Sequence, residues 1–283
     1  MKTEEFDPGE LQDLYRPPFD ASGGDNGQVT IIGGSKLFHG APMLALKAAS
    51  RLVDTVFFAS PEESLRGVAE RIRSELMSFI WVDWSGVDAY VAKSDAILIG
   101  PGFMRYRSET APHGDRQHMC DEACRVTKDV TERLISKFGE KKWVIDAGSL
   151  QALKQEVIPR GSILTPNAKE FGMLFGEEGT RESVFRKAAE FNCVIVLKGV
   201  ETVVASPKEL VVIKGGNPGM AKGGTGDAQA GLTVGLCAKN EAFLAAKAAS
   251  YLIKKAADSL YLRVGMSYNA DDLADEVGVM SAP

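Results

Sequence analysis

The amino-acid sequence predicts an α/β fold: a three-layer sandwich in which helices cover both faces of a central, mostly parallel sheet. Short apolar runs, several of them rich in β-branched residues, alternate with longer segments of helical pattern along most of the 283 residues. Gly, Pro or Asp follows most of these runs, as expected where a strand ends and a loop begins. Such alternation is typical of a parallel sheet with helices on both of its faces.

Composition and charge set limits on function. Hydrophobic residues make up 45% of the chain and charged residues 25%, close to the average for globular domains. The formal net charge of -5 argues against a nucleic-acid partner, since such proteins usually present a basic surface, but it leaves a nucleotide ligand open. We expect no membrane partner and a cytoplasmic location, because the sequence shows neither an apolar run of roughly 18 residues nor an apolar leader segment.

Residues 1–28 are predicted to form an N-terminal arm and residues 29–283 a single domain. The arm is polar and contains Pro8, Pro17 and Pro18, which disfavour regular helices and strands. Residues 29–283 contain no internal repeat, low-complexity tract or linker. One domain therefore accounts for the whole of this region.

The first elements of the domain follow from local pattern. The apolar run at 29–32 predicts a buried strand. A helix follows, with Pro42 in its first turn, where the missing N–H costs nothing. The apolar run Thr55–Ala59 predicts the next strand and precedes a predicted helix over 61–74. Ser60 is the predicted N-cap of that helix, because a serine hydroxyl accepts a hydrogen bond from a free amide of the first turn.

The alternation continues to residue 197 and gives way to helices after residue 225. Further strands are predicted at Phe79–Val82, Ala96–Ile99, 143–145, 162–164 and Val194–Leu197. Helical patterns cover 116–137 and 180–191. From Thr225 onward, Ala-rich segments such as 242–257 predict a mostly helical end of the chain.

The ends of the predicted strands indicate where a ligand binds. Parallel α/β sheets bind ligands at the carboxyl ends of their strands. Glycines, small hydroxyls and single polar groups follow five of the predicted strands, at 33–35, 100–102, 146–148, 165–167 and 198–199. The sequence therefore predicts a crevice that admits a large polar ligand.

A glycine-rich loop at 215–227, GGNPGMAKGGTGD, carries the chemistry. Six of the twelve residues from 215 to 226 are glycine, and an apolar helical run follows. A helix N-terminus has about four unpaired N–H groups and roughly half a positive charge. Gly223, Gly224 and Gly226 let such amides approach an anion, so we predict a hole for a phosphoryl group. Asp227 is then the candidate base for a hydroxyl that attacks phosphorus.

Two better-known nucleotide motifs do not fit this loop. The segment 219–223 lacks the G-K-[ST] ending of a P-loop, and no clear G-x-G-x-x-G follows the first strand. Neither a P-loop NTPase nor a Rossmann oxidoreductase is indicated. A plain alternative stays open at this point: a glycine-rich connector in which Asp227 is only an N-terminal helix charge.

The string GNPGMAKGGTGD is similar to the signature of the NAD(P)H-hydrate dehydratase family, which lies within the ribokinase-like superfamily. Further segments resemble that family in order and spacing: IGGSKLFHGAPMLALKAA at 32–49, ILIGPGF at 97–103, VIDAGSL at 144–150, ILTPNAKEF at 163–171 and VLKGVETVVA at 196–205. The resemblance covers roughly residues 29–260. It implies a ribokinase-like fold for the catalytic domain.

The resemblance also implies a reaction. Members of the family use ADP or ATP with Mg²⁺ to phosphorylate the ring hydroxyl of hydrated NADH or NADPH, and elimination of phosphate then restores the dihydropyridine. A homo-oligomer is expected on the same ground. The resemblance assigns no metal ligand to the chain itself.

Residue roles follow by resemblance. Asp227 matches the base that activates the hydroxyl. The phosphoryl group is expected on the backbone amides of Gly223, Gly224, Thr225 and Gly226. The nucleotide is expected against Lys198, Gly199, Val200, Glu201, Thr202 and Gly226. The hydrated dinucleotide is expected against Ala41, Gly102, Asn167 and Asp227.

The sequence departs from the family pattern at four places. Asn26-Gly27, preceded by Asp25, stand where the family has HKG before its first strand. Phe103-Met104 follow Pro101-Gly102 where the family usually has Leu-Gly, so the backbone there is expected to be less free. Gly148 replaces the second acid of a DAD-x-L pattern, with an expected loss of contact to Mg²⁺ or substrate. Asn167 stands where bacterial members often have histidine, as in eukaryotic members, which tend to use ATP.

Two rival functions remain on the sequence alone. The first is a small-molecule kinase of the same superfamily, acting on a vitamin precursor or a sugar, since phosphorylation of a hydroxyl is common to both. The second is a non-catalytic nucleotide-binding relative, which the departures at 103–104 and 148 would favour. An intact Asp227 weighs against the second.

Several single residues also have two interpretations. Asp146 is either a strand-end turn residue or a water-mediated ligand of Mg²⁺, and Lys198 is either a phosphate-binding lysine or a solvated strand end. His113, His118, Cys120 and Cys124 lie within twelve residues of one another and include types that bind zinc. For that segment we predict a surface loop and a partly buried helix without metal.

Overall fold

The computed structural model describes residues 4–72, 76–104 and 122–280. Within these residues the strands are β1 (Glu4–Glu5), β2 (Gln28–Ile32), β3 (Thr55–Ala59), β4 (Phe79–Val82), β5 (Ala96–Ile99), β6 (Lys142–Ile145), β7 (Ile163–Leu164), β8 (Val194–Leu197), β9 (Thr202–Ala205) and β10 (Leu210–Ile213). The helices are α1 (Gly40–Ala49), α2 (Ser64–Ile72), α3 (Val87–Lys93), α4 (Glu122–Lys137), α5 (Ala147–Ala152), α6 (Ala168–Phe175), α7 (Arg181–Phe191), α8 (Thr225–Lys239), α9 (Ala242–Val264) and α10 (Ala270–Met280).

The ten described strands form one sheet in the order β1-β10-β9-β8-β7-β6-β5-β2-β3-β4. From β8 to β4 every neighbouring pair is parallel. Strand β9 is antiparallel to both β8 and β10, and β1 runs parallel to β10 at the edge. The sheet is therefore mostly parallel, as the sequence predicts.

Two apolar cores lie on opposite faces of this sheet. One is built from α1, α2, α8, α9 and α10, packed on strand residues such as Ile31, Leu98 and Val196. The other is built from α3 to α7, packed on the alternate residues of the same strands, such as Ile32, Ile97 and Ile195. Successive side chains of a strand point to opposite faces. The three-layer α/β/α sandwich is confirmed.

Local sequence predicts most strand bounds. The predicted strands Thr55–Ala59, Phe79–Val82, Ala96–Ile99 and Val194–Leu197 have these bounds in the structure. The prediction for Ser60 is wrong, because α2 begins at Ser64. The Ser60 hydroxyl instead accepts a hydrogen bond from the amide of Glu62 at 3.1 Å and closes a turn ahead of the helix.

Three strands escape the sequence analysis. The antiparallel pair β9 and β10 is joined by a tight turn, in which the Ser206 hydroxyl accepts hydrogen bonds from the amides of Lys208 and Glu209. Strand β1 consists of two glutamates and pairs with β10 in parallel, with Glu5 also forming an ion pair with Lys214 just after β10. Because β1 contains no apolar residue, the sequence analysis assigns these residues to the N-terminal arm.

Part of the predicted arm packs on the helical layer next to it. Phe6 is buried, and its ring lies 5.2 Å from that of Tyr251 in α9. Residues Pro8–Asp13 form a 3₁₀ helix whose N-cap is the side chain of Asp7. Lys247 of α9 forms an ion pair with Glu10. No helix among the described residues is long and apolar enough to cross a membrane.

Candidate active site

The carboxyl ends of three adjacent parallel strands bring four polar residues together. Asp146 follows β6, Thr165 and Asn167 follow β7, and Lys198 follows β8. The backbone continues the pairing beyond the strands, because Asn167 and Lys198 form an isolated parallel bridge and the Lys198 amide donates to the Pro166 carbonyl at 2.8 Å. The topology therefore places these side chains on one edge of the sheet.

Lys198 and Asp146 form a buried ion pair at this edge. The Nζ of Lys198 donates to Oδ1 of Asp146 at 2.8 Å, and the Thr165 hydroxyl donates to the same oxygen at 2.7 Å. The Asp146 side chain is 1% exposed. Asp146 occupies the N-cap position of α5 but makes no side-chain cap bond there. The Asp146 carboxylate thus pairs with Lys198 and does not cap α5.

Glu170 adds a second buried carboxyl beside this pair. It accepts hydrogen bonds from the Asn167 amide at 2.9 Å and from Nε2 of Gln151 at 3.0 Å. In return, Oδ1 of Asn167 accepts from the Glu170 amide at 3.0 Å, which completes a capping box at the start of α6. Asn167 is thus the N-cap of α6, as expected for an asparagine ahead of a helical run. Sequence reasoning missed Glu170, although an acid three residues after an N-cap is the pattern of such a box.

The acidic neighbours change the protonation of Lys198. Burial alone lowers the pKa of Lys198, but the charges of Asp146 and Glu170 outweigh burial and raise it. Lys198 therefore stays an ammonium ion at neutral pH. Of its two interpretations from sequence, a solvated strand end is wrong, because the side chain is 17% exposed and paired.

Asp227 has the properties of a general base. Burial raises the pKa of Asp227 to about 7, with the charge of Asp146 adding to the effect and that of Lys198 opposing it. A base is most effective when its pKa lies near the working pH. Asp227 stands in the first turn of α8, where unpaired N–H groups of the helix also point.

The first turn of α8 lies next to Lys198. Gly224 is the N-cap of the helix at φ 94°, a left-handed conformation that glycine adopts without strain. A Cβ added to Gly226 would lie 3.3 Å from Nζ of Lys198. The structure thus brings the predicted phosphoryl-binding turn, the lysine and Asp227 to one place.

The loop ahead of this turn is fixed by its own side chains. The Thr225 hydroxyl donates to the carbonyls of Met220 at 2.7 Å and Lys222 at 2.9 Å. The Thr225 hydroxyl is therefore already engaged within the loop, and an anion bound at this turn would meet the Thr225 backbone amide instead. Gly223 is exposed, with open space around its α-carbon.

A tyrosine from the far end of the chain holds the middle of the same loop. The hydroxyl of Tyr268 donates to Oδ1 of Asn217 at 2.7 Å, and its ring lies so close to Gly219 that a Cβ there would be 2.6 Å from it. Lys222 donates to the carbonyls of Met266 and Tyr268. No local pattern in the sequence marks Tyr268, because these contacts link residues about fifty positions apart.

The predicted nucleotide segment forms the turn between β8 and β9. Gly199, Val200 and Glu201 are exposed, and Val200 is 94% exposed. Glu201 is tied to Arg181 of α7 by an ion pair of 2.6 Å. Thr202 differs from the others, because it is the first residue of β9 and is buried. Lys198 is thus the member of this segment that the structure brings to Asp146 and to Gly226.

The predicted substrate residues Ala41 and Gly102 lie on the β2–β5 side of the same edge. Gly102 is buried at φ 74°, and a Cβ there would be 2.4 Å from the Phe38 carbonyl oxygen. Ala41 is half-buried in the first turn of α1. The side chain of Leu44, one turn further along α1, packs against Gly224 where a Cβ would otherwise lie. The first turns of α1 and the glycine-rich loop are therefore packed together.

A cavity of about 660 Å³ opens beside Gly102. Its walls include Ser35 and Lys36 after β2, Phe103 and Met104 after β5, and Thr127 of α4. Ligand pockets commonly have volumes of this order. The residues that line this cavity do not include Asp146, Lys198 or Asp227, so the cavity lies apart from those side chains. The crevice for a large polar ligand stays a prediction.

Two of the four departures from the family pattern touch each other. A Cβ added to Gly148 would lie 2.3 Å from the carbonyl oxygen of Phe103 and 2.8 Å from its Cβ. The backbone at 103 therefore occupies the space that any side chain at 148 would need. The two departures are one structural feature rather than two independent changes.

The described residues contain no group of three or more His, Cys, Asp or Glu side chains that could hold a metal ion. Cys193 and Cys237 are free and buried. His113, His118 and Cys120, for which the sequence analysis predicts no metal, lie outside the described residues.

A family model described as NAD(P)H-hydrate dehydratase matches residues 29–278. The bifunctional NAD(P)H-hydrate repair enzyme of Methanocaldococcus jannaschii is 30% identical over 277 residues, which cover 95% of this chain and 51% of that protein. The chain spans about half the length of the curated relatives that carry this bifunctional name.

Solved structures share the fold. A ribokinase-like superfamily protein from Enterococcus faecalis superposes with a TM-score of 0.82 at 21% identity, covering 99% of this chain and 95% of that one. The ADP/ATP-dependent NAD(P)H-hydrate dehydratase from Bacillus subtilis, co-crystallised with ATP and Mg²⁺, superposes with a TM-score of 0.79 at 23% identity, covering 99% and 98%. The ribokinase-like fold expected from the sequence is confirmed.

Proposed function

Since the chain belongs to the NAD(P)H-hydrate dehydratase family, we propose that it repairs hydrated NADH or NADPH with ADP or ATP as phosphoryl donor. One observation supports this proposal in addition to the family match. Asp227, a half-buried carboxyl with a pKa of about 7, stands in the first turn of α8 beside the ammonium of Lys198. A base, an anion hole and a cation are the parts that transfer of a phosphoryl group to a hydroxyl needs.

In the first step, Asp227 accepts the proton of the ring hydroxyl. The hydroxyl oxygen then forms a bond to the terminal phosphorus of the nucleotide, and the bond from that phosphorus to the bridging oxygen breaks. ATP leaves as ADP, or ADP as AMP. Charge that builds on the phosphoryl oxygens is met by the first-turn amides of Gly224, Thr225 and Gly226.

In the second step, the phosphorylated ring loses phosphate. The lone pair of the ring nitrogen forms a C=N bond as the C–O bond breaks, and loss of a proton from the adjacent ring carbon restores the dihydropyridine. Phosphate is a far better leaving group than hydroxide, which is the reason for spending a nucleotide. We assign the contact with the dinucleotide to Asn167, and its position next to Lys198 in the bridge between strand ends supports this assignment.

Lys198 supports the transfer by its fixed charge. The buried carboxylate of Asp146 keeps Nζ charged and oriented toward the Gly226 turn, and Thr165 holds the carboxylate in turn. An ammonium prepared in this way stabilises transferring phosphate without moving during the reaction.

Mg²⁺ belongs to this proposal as the ion that neutralises charge on the phosphates of the nucleotide. Mg²⁺ is typically held by one or two carboxylates together with phosphate oxygens. Asp146 already gives Oδ1 to Lys198 and Thr165, which leaves Asp227 as the more accessible carboxyl of this edge. We therefore expect Mg²⁺ to be held by the nucleotide phosphates, next to the Asp227 carboxyl. The cytoplasmic location and the homo-oligomer stay predictions.

The test is a direct assay. Purified protein is given hydrated NADH with ADP, and separately with ATP, in the presence of Mg²⁺, and the absorbance of the dihydropyridine is followed. Its return supports the proposal, and its rate with each donor decides between ADP and ATP. Consumption of nucleotide on a vitamin precursor or a sugar, with no repair of hydrated NADH, would favour the small-molecule kinase instead.

A further inference from the structure

Lys254 lies in the middle of α9 with its side chain buried, and its ammonium group faces backbone instead of a carboxylate. The side chain is about as buried as those of its apolar neighbours, at 4% exposed. Its Nζ donates to the carbonyl of Val200 at 2.6 Å and that of Gly215 at 2.9 Å, with Gly199 at 3.4 Å. Three acceptors match the three donors of an ammonium group.

Helix packing alone does not explain a lysine at this position. The surrounding residues of α9, such as Ala256 and Ala257, are fully buried and apolar. A buried charge is costly unless its hydrogen bonds are satisfied. Burial lowers the pKa of Lys254, while the charges of Asp258 and Glu201 oppose that shift. Burial of the Lys254 ammonium group therefore costs free energy, and its three hydrogen bonds to carbonyls offset that cost.

The carbonyls belong to two separate segments of the site. Gly199 and Val200 form the turn between β8 and β9, which is the predicted nucleotide segment. Gly215 lies two residues after the end of β10 and begins the glycine-rich loop that leads to the first turn of α8. Lys254 is thus bonded at once to both chain segments that the proposed nucleotide would contact.

The start of the glycine-rich loop is shaped around the same side chain. Gly215 and Gly216 both have left-handed backbone, at φ 95° and 79°. A Cβ on Gly216 would lie 3.3 Å from Cγ of Lys254. Asp258, one turn further along α9, accepts from the Gly216 amide at 3.2 Å. Helix α9 therefore holds this loop by a donor and an acceptor one turn apart.

We propose that Lys254 is a positioning residue for the nucleoside di- or triphosphate, because it sets the separation between the Gly199–Val200 turn and the glycine-rich loop. It acts through main-chain carbonyls and does not touch the reacting atoms. The inference rests on the proposed function for the identity of the ligand. Its test is nucleotide binding, which is measured without any hydrated dinucleotide.

The experiment compares Lys254→Met with Lys255→Met. Methionine keeps much of the length of the lysine side chain but donates no hydrogen bond. Lys255 is the next residue of α9, is exposed, and serves as the matched control. Binding of ADP and of ATP is measured by calorimetry, and folding by thermal unfolding. Because the two segments are no longer tied together, we expect nucleotide affinity to fall roughly tenfold or more in Lys254→Met and to stay unchanged in Lys255→Met.

Kinetics separate positioning from a general loss of structure. In Lys254→Met the KM for the nucleotide should rise while the KM for hydrated NADH stays near that of the unmodified protein. Equal rises in both KM values, or an unchanged nucleotide affinity in a folded variant, would overturn the inference. If the unmodified protein binds nucleotide but repairs no hydrated NADH, the proposed function fails and the binding comparison still decides the role of Lys254.

A second measurement applies if Lys254→Met does not fold. Hydrogen exchange of the unmodified protein is followed at the amides of Glu201 and Gly216, one in each tethered segment, with and without ADP. Both amides should gain protection together, since Lys254 connects their segments. Protection of one without the other, or no binding of either nucleotide, would contradict the inference.

Discussion

Lys198 and Asp146 join the ends of two strands that are not neighbours in the sheet. Nζ of Lys198, after β8, lies 2.8 Å from Oδ1 of Asp146, after β6, and β7 runs between them. Thr165, from the end of β7, donates to the same oxygen. The pair therefore spans three strands and holds their carboxyl ends together at the candidate active site.

The first prediction concerns this pair. Lys198→Met should lower the free energy of unfolding by about 3–5 kcal/mol, because it leaves the buried Asp146 carboxylate without its counter-ion. The double variant Lys198→Met/Asp146→Asn should recover part of that loss, yet stay inactive. Urea unfolding measures both. Lys214→Met is the control, since its 2.7 Å pair with Glu5 is exposed and such pairs contribute about 0–1 kcal/mol. Equal losses at the two sites would show that burial does not matter here.

The second prediction concerns the proposed base. Asp227→Asn should reduce turnover by about 10²–10⁴-fold, the range that general-base catalysis contributes, while nucleotide affinity is kept or improved. Asn has the shape of Asp but cannot accept the hydroxyl proton. Turnover of hydrated NADH and calorimetric binding of ADP and ATP are measured in parallel. Asp271→Asn, in the exposed first turn of α10, is the control and should change neither. Near-full turnover in Asp227→Asn would remove Asp227 as the base.

The third prediction is the pH dependence of the reaction. The pKa of Asp227 is about 7, and only the ionised carboxyl accepts a proton. The value of kcat/KM should therefore rise with pH through a midpoint near 7, since this parameter reports the free enzyme. A midpoint near 4 would mean that the carboxyl is solvated in solution. Steady-state rates between pH 5 and 9 decide the point.

The fourth prediction uses stability instead of activity. Because the pKa of Asp227 is raised on folding, its contribution to stability is fully present below about pH 4 and is lost as pH rises through about 7. Asp227→Asn does not ionise, so it should melt at a higher temperature than the unmodified protein at pH 8. That difference should vanish near pH 4. A constant difference across this range would contradict the raised pKa.

The fifth prediction tests the contact between the two family departures. Gly148→Ala should destabilise the fold by about 1–3 kcal/mol, the usual cost of overpacking, because its Cβ would lie 2.3 Å from the Phe103 carbonyl oxygen. Gly67→Ala is the control, since Gly67 lies in α2 with nothing within 4 Å of the added carbon. There alanine should be neutral or slightly stabilising, as its helix propensity exceeds that of glycine. Thermal unfolding of both variants gives the comparison.

Local pattern predicts the strands of this fold better than it predicts the site. Strands such as Ala96–Ile99 are buried on both faces, so a short apolar run identifies them. The glycine-rich loop and Asp227 are also found from sequence, because a helix start, its glycines and its acid are contiguous. The capping role of Asn167 is local too.

What local pattern misses depends on contacts between distant segments. The ion pair of Lys198 and Asp146 joins residues 52 positions apart, and Lys254 meets Val200 54 positions away. The sequence around each of these residues contains no pattern that indicates its distant partner. Strands β9 and β10 are a different case, because both are short apolar runs that the sequence analysis does not assign, and only their antiparallel pairing depends on the turn at Ser206.

The short strand β1 has a consequence for how this protein behaves at high concentration. An unpaired strand edge is a template on which a second chain can add, and long apolar edges are the most hazardous. Strand β10 is four residues long and wholly apolar, and β1 occupies its outer edge. The edge that β1 itself presents is two residues long and carries two glutamates, so it repels a like copy. Removal of the first five residues would uncover β10, and we expect such a truncated chain to precipitate well before the full chain does.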